Sequence, residues 1–191
     1  MKFGMKTAAI LLALSDPRFS EAQDVVPVKS LNQEAYSGRW FQMYTTKQAL
    51  HTYEFHGECI TTDIHVNEAE GTLSLLNTQA VNSTDAPFFR ITGTVYPTSR
   101  PGNFNVVFMP ASWFKHTIVA LGPLDASGHY TYSIGTNNKG NYLIVLARDP
   151  SNWDEAACLS LIQQYNLPEP YQITQGENCS YSEFANLTQH F

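Results

Sequence analysis

The cysteines are the most reactive side chains of this sequence. The 191 residues contain three of them, Cys59, Cys158 and Cys179. One disulfide and one remaining thiol is the simplest interpretation of that count in an oxidising compartment. A free thiol can be a catalytic nucleophile, a site of intermolecular bonding or a small buried hydrophobic group. Cys158 lies in an apolar helical pattern, which favours the buried group for that residue.

The six histidines do not form a recognisable catalytic or metal-binding pattern. His51, His56 and His65 fall on loop and strand without the spacing of metal ligands. No Ser-His-Asp set and no nucleophile elbow is visible. We therefore expect a protein that is not an enzyme and that holds no metal and no cofactor.

The N-terminus has the pattern of a secretory signal peptide. Lys2 and Lys6 precede an apolar run at residues 7–15, which is too short to span a bilayer. Small residues then flank a cleavage position after Ala22. We expect a signal peptide at residues 1–22, and a secreted, extracellular protein of one domain at residues 23–191. An N-terminal helix is the alternative interpretation.

Two glycosylation sequons agree with secretion. Asn82 and Asn186 each begin an Asn-x-Ser/Thr triplet, and we expect both to be glycosylated. A third triplet, at Asn178, contains Cys179 in its middle position.

Charge and composition exclude some partners. The net charge is −6, and the 11 Lys and Arg residues are scattered without a basic patch, so we expect no nucleic-acid partner. Aromatic residues make up 13% of the chain. That content is typical of a sheet-rich core and also of an aromatic-lined cavity, and the two are compatible.

Short strands with alternating apolar residues follow one another, separated by turn signals such as Glu70-Gly71 and Pro101-Gly102. The pattern predicts eight strands, at residues 39–46, 59–66, 72–80, 88–96, 104–109, 115–121, 129–135 and 141–147. No helical period separates them, so the pattern predicts an all-β fold with antiparallel hairpins. A closed eight-stranded up-and-down barrel at about residues 38–148 would remove the sheet edges and leave room for one small ligand.

The period changes from two to about 3.6 after Pro150. It predicts one α-helix at about residues 152–166, packed outside the barrel, with Ser151 as its N-cap and Asp154 at the third helical position. Pro168 ends the helix, and a tail at residues 167–191 contains an extended piece at residues 171–174.

The positions of several motifs make the chain resemble the lipocalin family, and within it the apolipoprotein D-like chains. Gly38-Arg39-Trp40 matches the G-x-W at the start of the first strand, and Arg148 matches the Arg at the end of the last one. The resemblance implies that Arg148 lies over Trp40 and closes one end of the barrel, a cation–π contact. Further similarities are Phe108-Met109-Pro110 before Trp113, Gly57-x-Cys59 followed by Asn77-Thr78-Gln79, and the tail with Cys179.

One family motif is missing. Gly122-Pro123-Leu124-Asp125 stands where a Thr-Asp-Tyr is expected, with Asp125 as its nearest equivalent. This places the chain outside the most regular members. The resemblance also implies a disulfide between Cys59 and Cys179, which leaves Cys158 unpaired.

Strand alternation, together with the resemblance, predicts which side chains face the interior. The predicted ligand-binding residues are Ile60, Thr62, Ile64, Leu75, Asn77, Ile91, Val95, Phe104, Val106, Phe108, His116, Ile118, Tyr132, Tyr142 and Ile144. Leu73, Gly93, Ala120, Tyr130, Ile134 and Leu146 share the same phase, the phase of the seventh strand being the least defined. This lining is mostly apolar, so it suits a ligand with an apolar body and one polar end.

Asn77, Gln79, His116, Tyr132 and Tyr142 are the candidate polar contacts with such a ligand. Each of them could equally form a hydrogen bond within the barrel, because buried polar groups usually find partners.

Together these features predict extracellular binding and transport of a small hydrophobic ligand: a lipid, sterol, retinoid, bilin or carotenoid. Two alternatives remain. A lipocalin-type isomerase would need an unpaired cysteine facing the cavity, and a filled-barrel interaction protein would have bulky inward side chains. Gly93, Thr62 and Ala120 favour some empty space.

The loop at residues 46–55 contains Leu50, Tyr53 and Phe55. It is either a flexible surface loop or a segment that covers the barrel or touches membranes transiently.

Overall fold

The computed structural model of the chain describes residues 25–52, 54–108 and 112–181. The predicted signal peptide at residues 1–22, the predicted glycosylation site Asn186, and Tyr53 lie outside these ranges.

Eight antiparallel strands close into a barrel, as predicted. They are β1 (Gly38–Thr45), β2 (Gly57–Asn67), β3 (Thr72–Val81), β4 (Phe88–Pro97), β5 (Asn103–Phe108), β6 (Ser112–Leu121), β7 (Tyr132–Thr136) and β8 (Ile144–Ala147). Each strand pairs with the next one, and β1 pairs with both β2 and β8. The sheet therefore has few free edges and encloses an interior.

Three helices and one short strand complete the described fold. They are α1 (Gln33–Tyr36), α2 (Lys47–Thr52), α3 (Glu155–Gln164) and β9 (Tyr171–Gln172). The prediction of Ser151 as the cap of the last helix was wrong: Asp154 is the N-cap, and its side chain accepts a hydrogen bond from the Ala157 N–H at 3.0 Å. Within the described ranges, no helix is long and apolar enough to cross a membrane.

Helix α3 covers the outside of the wall formed by β7, β8 and β1. Cys158 and Ile162 of the helix pack against Tyr132, Ile134 and Val145 of the wall. Every residue of β7 is consequently buried, on both faces of the strand. The seventh strand was predicted at 129–135, which begins three residues and ends one residue too early. Its phase was wrong, because Tyr132 and Ile134 pack against α3 and not in the interior.

The end of the barrel near α1 is closed by Trp40 and Arg148. The Arg148 guanidinium carbon lies 3.7 Å from the centre of the Trp40 ring. Arg148 Nη1 donates to the carbonyl of Arg39 at 2.8 Å, and Nη2 donates to those of Ser37 and Ala35 at 2.6 and 3.1 Å. The Trp40 indole N–H donates to the Tyr36 carbonyl at 2.8 Å. These contacts connect both ends of the barrel chain to α1.

The tail fills a seam in the wall. β1 and β2 pair only from Gly38–Ile64 to Phe41–Thr61, after which they separate. β9 pairs with β1 in the gap, and Gln175 Nε2 donates to the carbonyls of Gln42 on β1 and Ile60 on β2, at 2.8 and 2.9 Å. The disulfide between Cys59 and Cys179, which the resemblance implied, is confirmed and holds the tail at this seam.

Candidate functional site

A small cavity lies in the barrel interior. Its volume is about 80 Å³. The lining comprises Tyr36, Gln42, Thr62, Ile64, Leu73, Leu75, Asn77, Val95, Phe104, Val106, Phe108, Phe114, His116, Ile144 and Leu146. The side chains come from every barrel strand except β7. Most are apolar, and Gln42, Thr62, Asn77, His116 and Tyr36 supply the polar atoms.

Most of the predicted ligand-binding residues surround this cavity: Thr62, Ile64, Leu75, Asn77, Val95, Phe104, Val106, Phe108, His116 and Ile144. Alternate residues of these strands face the interior, because successive side chains of a strand point to opposite faces. The residues between them are exposed or half-buried on β4 and β5, whereas Thr61, Asp63, Leu76 and Thr78 on β2 and β3 are buried as well.

Five predicted lining residues lie elsewhere. Ile60 follows a bulge at Cys59, whose φ of 55° breaks the alternation, and it packs with Leu50 and Ile173 near the tail. Ile118 is buried in the core beside Trp40. Tyr132 faces α3.

The other two lie near the open end of the barrel. Ile91 is half-buried opposite Asn77 on β3. Tyr142 precedes β8, and its ring meets that of Phe114 at a centroid distance of 6.4 Å.

Three lining residues were missed by the sequence reasoning. Phe114 precedes His116 by two positions, and Gln42 follows Trp40 by two, so both share an inward phase that could have identified them. Tyr36 belongs to α1, before the first strand, and no pattern indicated it.

The cavity is small because aromatic side chains occupy the space beside glycines. A Cβ added at Gly93 would lie 2.9 Å from Phe108 Cδ1, and one at Gly135 would lie 2.3 Å from His116 Cε1. The expectation of empty space at Gly93 was therefore wrong. Ala120, the other small residue expected to leave space, packs in the cluster under α3.

Aromatic rings form one wall of the cavity. Phe108 and Phe114 stack at a centroid distance of 5.9 Å, and the rings of Phe114 and His116 meet edge to face at 6.4 Å. Burial lowers the pKa of His116 to about 4. The imidazole is thus neutral at physiological pH and offers one N–H donor and one acceptor nitrogen.

On β2 and β3, one polar pair is satisfied within the barrel. Thr62 Oγ1 donates to Asn77 Oδ1 at 2.8 Å. Tyr36 provides a second polar contact, since its hydroxyl lies 3.4 Å from Ser133 Oγ. These bonds fix the orientation of the lining side chains without a ligand.

The described residues between β1 and β2, 46–52 and 54–56, lie at the open end of the barrel, and we call them the mouth segment. The flexible-loop interpretation does not describe it, because it contains α2, and Ala49 and Leu50 are buried. The Glu54 N–H donates to the Ala49 carbonyl at 3.1 Å, and Gln79 Nε2 donates to the Glu54 carbonyl at 2.7 Å. Phe55 is exposed.

The mouth segment brings the buried carboxyl group of Glu54 next to Gln42, which lines the cavity. Gln42 Nε2 and Thr45 Oγ1 donate to Glu54 Oε1 at 2.7 and 3.0 Å. The other oxygen, Oε2, is buried and accepts no hydrogen bond within the described part of the chain. Burial raises the pKa of Glu54 to about 7, and the bonds from Gln42 and Thr45 act in the opposite direction. Sequence reasoning missed this residue.

Cys158 lies outside the barrel. It is buried between α3 and the wall, and it is unpaired. Burial, together with the neighbouring Asp154 and Glu155, raises the pKa of its thiol to about 12. The described residues also contain no group of three or more His, Cys, Asp or Glu side chains that could hold a metal ion.

A second, larger cleft of about 330 Å³ lies outside the closed end, between residues 29–33 and the β4–β5 turn. Its lining includes Lys29, Thr98, Ser99 and Arg100, which are exposed. We place the candidate ligand site in the barrel because the lining of that cavity is mostly apolar, as in sites for small apolar ligands. Asn82, the predicted glycosylation site, is exposed in the β3–β4 turn.

No protein-family model matches the chain, and no curated protein matches its sequence. Solved structures do match its fold. Lobster apocrustacyanin A1 is 16% identical over 84% of this chain and 96% of its own, with a TM-score of 0.60. Insecticyanin from the tobacco hornworm Manduca sexta is 15% identical over 83% and 89%, with a TM-score of 0.61.

The tryptamine complex of the amine binding protein of Rhodnius prolixus is 15% identical over 87% of this chain and 95% of its own, with a TM-score of 0.58. These likenesses, at low identity, concern the fold. They confirm the lipocalin fold that the sequence motifs predicted.

Proposed function

We propose that this chain is a secreted lipocalin that binds and carries a small, mainly apolar ligand in the barrel interior. The interior cavity, with its apolar lining of Phe104, Val106, Phe108, Phe114 and Leu75, carries this proposal. The Cys59–Cys179 disulfide supports an extracellular location, because disulfides persist in oxidising compartments. The same bond, implied by the resemblance, supports an apolipoprotein D-like relationship.

The size of the cavity restricts the ligand. Its 80 Å³ is about half of the roughly 150 Å³ of an engineered cavity that holds benzene. Typical ligand pockets reach about 300–1,000 Å³. Of the predicted ligand classes, carotenoids, bilins and sterols would require displacement of Phe108 and Phe114. A ligand of a few heavy atoms fits the cavity as it stands.

Binding without catalysis is part of the proposal. A lipocalin-type isomerase would need a free thiol at the cavity, whereas Cys158 lies under α3. Its raised pKa also disfavours the reactive thiolate.

The small cavity favours one second candidate, a filled-barrel interaction protein. Phe108 and His116 occupy the space beside Gly93 and Gly135, as bulky inward side chains would in such a protein.

Native mass spectrometry of the secreted, deglycosylated protein tests the proposal, with solvent extraction of any bound molecule. A bound compound that is retained by the wild type and by V107F but lost from V106F would support binding in the barrel. Val106 lines the cavity, and Val107 is the neighbouring residue with the opposite orientation. Circular dichroism shows whether both variants fold.

An empty wild-type protein that also fails to bind retinol, arachidonate, bilin, carotenoid or short apolar probes would favour the filled-barrel protein. The mass of the secreted chain gives its first residue, and cleavage after Ala22 is expected.

A further inference from the structure

We propose that Glu54 forms a cation subsite beside the cavity, next to the lining residue Gln42, and that the preferred ligand is a small primary amine with a short apolar body. This inference rests on the proposed function and specifies its ligand class. It starts from a carboxyl group that is about nine-tenths buried and that forms no ion pair with any of the described residues.

The orientation of the carboxyl group is fixed by residues of β1. Gln42 Nε2 and Thr45 Oγ1 both donate hydrogen bonds to Glu54 Oε1. Gln42 itself lines the cavity, so the carboxyl group is one hydrogen bond away from the ligand space. The β2-to-β3 wall also holds the Glu54 backbone, through Gln79. The group is therefore positioned rather than free to turn toward solvent.

Glu54 Oε2 is the unused acceptor of this arrangement. It is buried, and none of the described residues donates to it. Arg39 and Asp63 form an ion pair across β1 and β2, nearer the closed end of the barrel than Glu54. A buried carboxylate without a cation or a second donor is costly. An ammonium group supplies both the positive charge and N–H donors.

The rest of the cavity matches the other part of such a ligand. The lining also contains Ile144 of β8, Phe114 of β6 and Phe108 of β5, and the two phenylalanine rings stack on each other. These side chains offer apolar contact, and the neutral imidazole of His116 adds no opposing positive charge. The cavity volume of about 80 Å³ limits the apolar body to a few carbon atoms.

Calorimetric titration with butylamine and with butan-1-ol, at pH 8, tests the subsite. The two probes share the same apolar body and differ in the charged head. We expect butylamine to bind the wild type at least tenfold more tightly than butan-1-ol. In E54Q, which keeps the shape of the side chain, the two affinities should become equal within about twofold.

A matched control separates the subsite from the general negative charge of the protein. Asp85 lies exposed in the β3–β4 turn at the same end of the barrel, and D85N should keep the preference for butylamine. Equal affinity of the two probes for the wild type, or the same loss of preference in D85N as in E54Q, would overturn the subsite.

The outcomes also distinguish this inference from the proposed function. If butan-1-ol or an extracted apolar molecule binds in the barrel and butylamine shows no preference, the carrier function stands and the amine subsite is wrong. If V106F still binds butylamine as the wild type does, the amine does not enter the cavity, and the subsite is also wrong. If no probe and no extracted molecule binds, both are wrong.

Discussion

The guanidinium of Arg148 lies over the ring of Trp40, with 3.7 Å from its central carbon to the centre of the ring, and donates hydrogen bonds to three backbone carbonyls around α1. The contact joins the last barrel strand to the first one. Burial lowers the pKa of Arg148 to about 10, so the side chain stays charged at physiological pH. The contact with the Trp40 ring and the hydrogen bonds to the carbonyls both depend on the planar shape of the guanidinium group.

Replacement of Arg148 by Lys should destabilise the barrel by about 2–4 kcal/mol. A lysine keeps the charge but cannot satisfy several carbonyls at once, and buried acceptors left unpaired cost about 1–3 kcal/mol each. Urea unfolding of R148K gives the change in the free energy of unfolding. R90K, at an exposed position of β4, is the matched control and should change stability by less than about 0.5 kcal/mol. Equal stability of the two variants would contradict this role of Arg148.

Removal of the Cys59–Cys179 disulfide should destabilise the chain by up to about 4–5 kcal/mol in the chain-entropy account of a long closed loop. The two cysteines are separated by 120 residues. The measurement is chemical unfolding of the C59A/C179A double variant. The wild type under reducing conditions should lose a similar amount, and it serves as the comparison. An unchanged free energy of unfolding would show that the tail is held at the seam by hydrogen bonds alone.

Glu54 should make the folded state less stable as the pH rises. Its pKa is raised from an ordinary 4.5 to about 7 by burial. The stabilising contribution of the protonated group is therefore fully present below about pH 4.5 and is lost as the pH rises through about 7. This pKa shift corresponds to a change of about 3 kcal/mol at most in the free energy of unfolding. The free energy of unfolding of E54Q, measured at pH 4.5, 6 and 8, should not show this decline with rising pH. A decline identical to that of the wild type would assign it to other groups.

His116 should have the opposite effect on stability. Burial lowers its pKa from 6.5 to about 4. The neutral imidazole contributes stability that is fully present above about pH 6.5 and is lost as the pH falls through about 4. The free energy of unfolding of H116Q, measured between pH 4 and 7, should not show this loss of stability at the acidic end.

Between about pH 4.5 and 6.5 the two groups oppose each other. As the pH rises through this range, the free energy of unfolding of E54Q should therefore increase relative to that of the wild type, and that of H116Q should decrease. The double variant should follow the wild type. A double variant that follows either single variant would show that one of the two groups does not titrate as stated.

Cys158 should resist alkylation in the folded protein. Its thiol is buried under α3, and its raised pKa leaves almost no thiolate at pH 8. Iodoacetamide treatment followed by mass spectrometry should detect no modification in native protein and one modified thiol after denaturation without reduction. Rapid labelling of the native protein would mean that α3 opens easily from the wall.

The sequence was informative where the alternation of side chains along a strand could be read in one phase. Thr62, Asn77, Val106 and His116 lie on such strands, and their alternation placed them at the cavity. The reading failed on β7, because α3 covers the outer face and every residue of the strand is buried. Tyr132 could not be oriented for that reason.

The burial of Glu54 had no local signal. A glutamate between Tyr53 and Phe55 is typical of an exposed loop. Its environment is created by contacts with Gln42 and Gln79, twelve and 25 residues away, and these form only when the mouth segment folds across the barrel. The small cavity volume likewise depends on which side chains fill the space beside Gly93 and Gly135, and alternation does not predict this.

The position of the tail has a consequence for the order in which the molecule is made. The residues that fill the seam between β1 and β2, from Tyr171 to Cys179, leave the ribosome after all eight barrel strands. A nascent chain that ends before them has a barrel whose wall is unsealed beside the mouth segment. Formation of the Cys59–Cys179 disulfide, in which both thiols pass electrons to an oxidant of the compartment, is therefore a late event in biogenesis. Until the disulfide forms, a chain with eight complete strands still has a gap between β1 and β2 that the tail can leave unfilled.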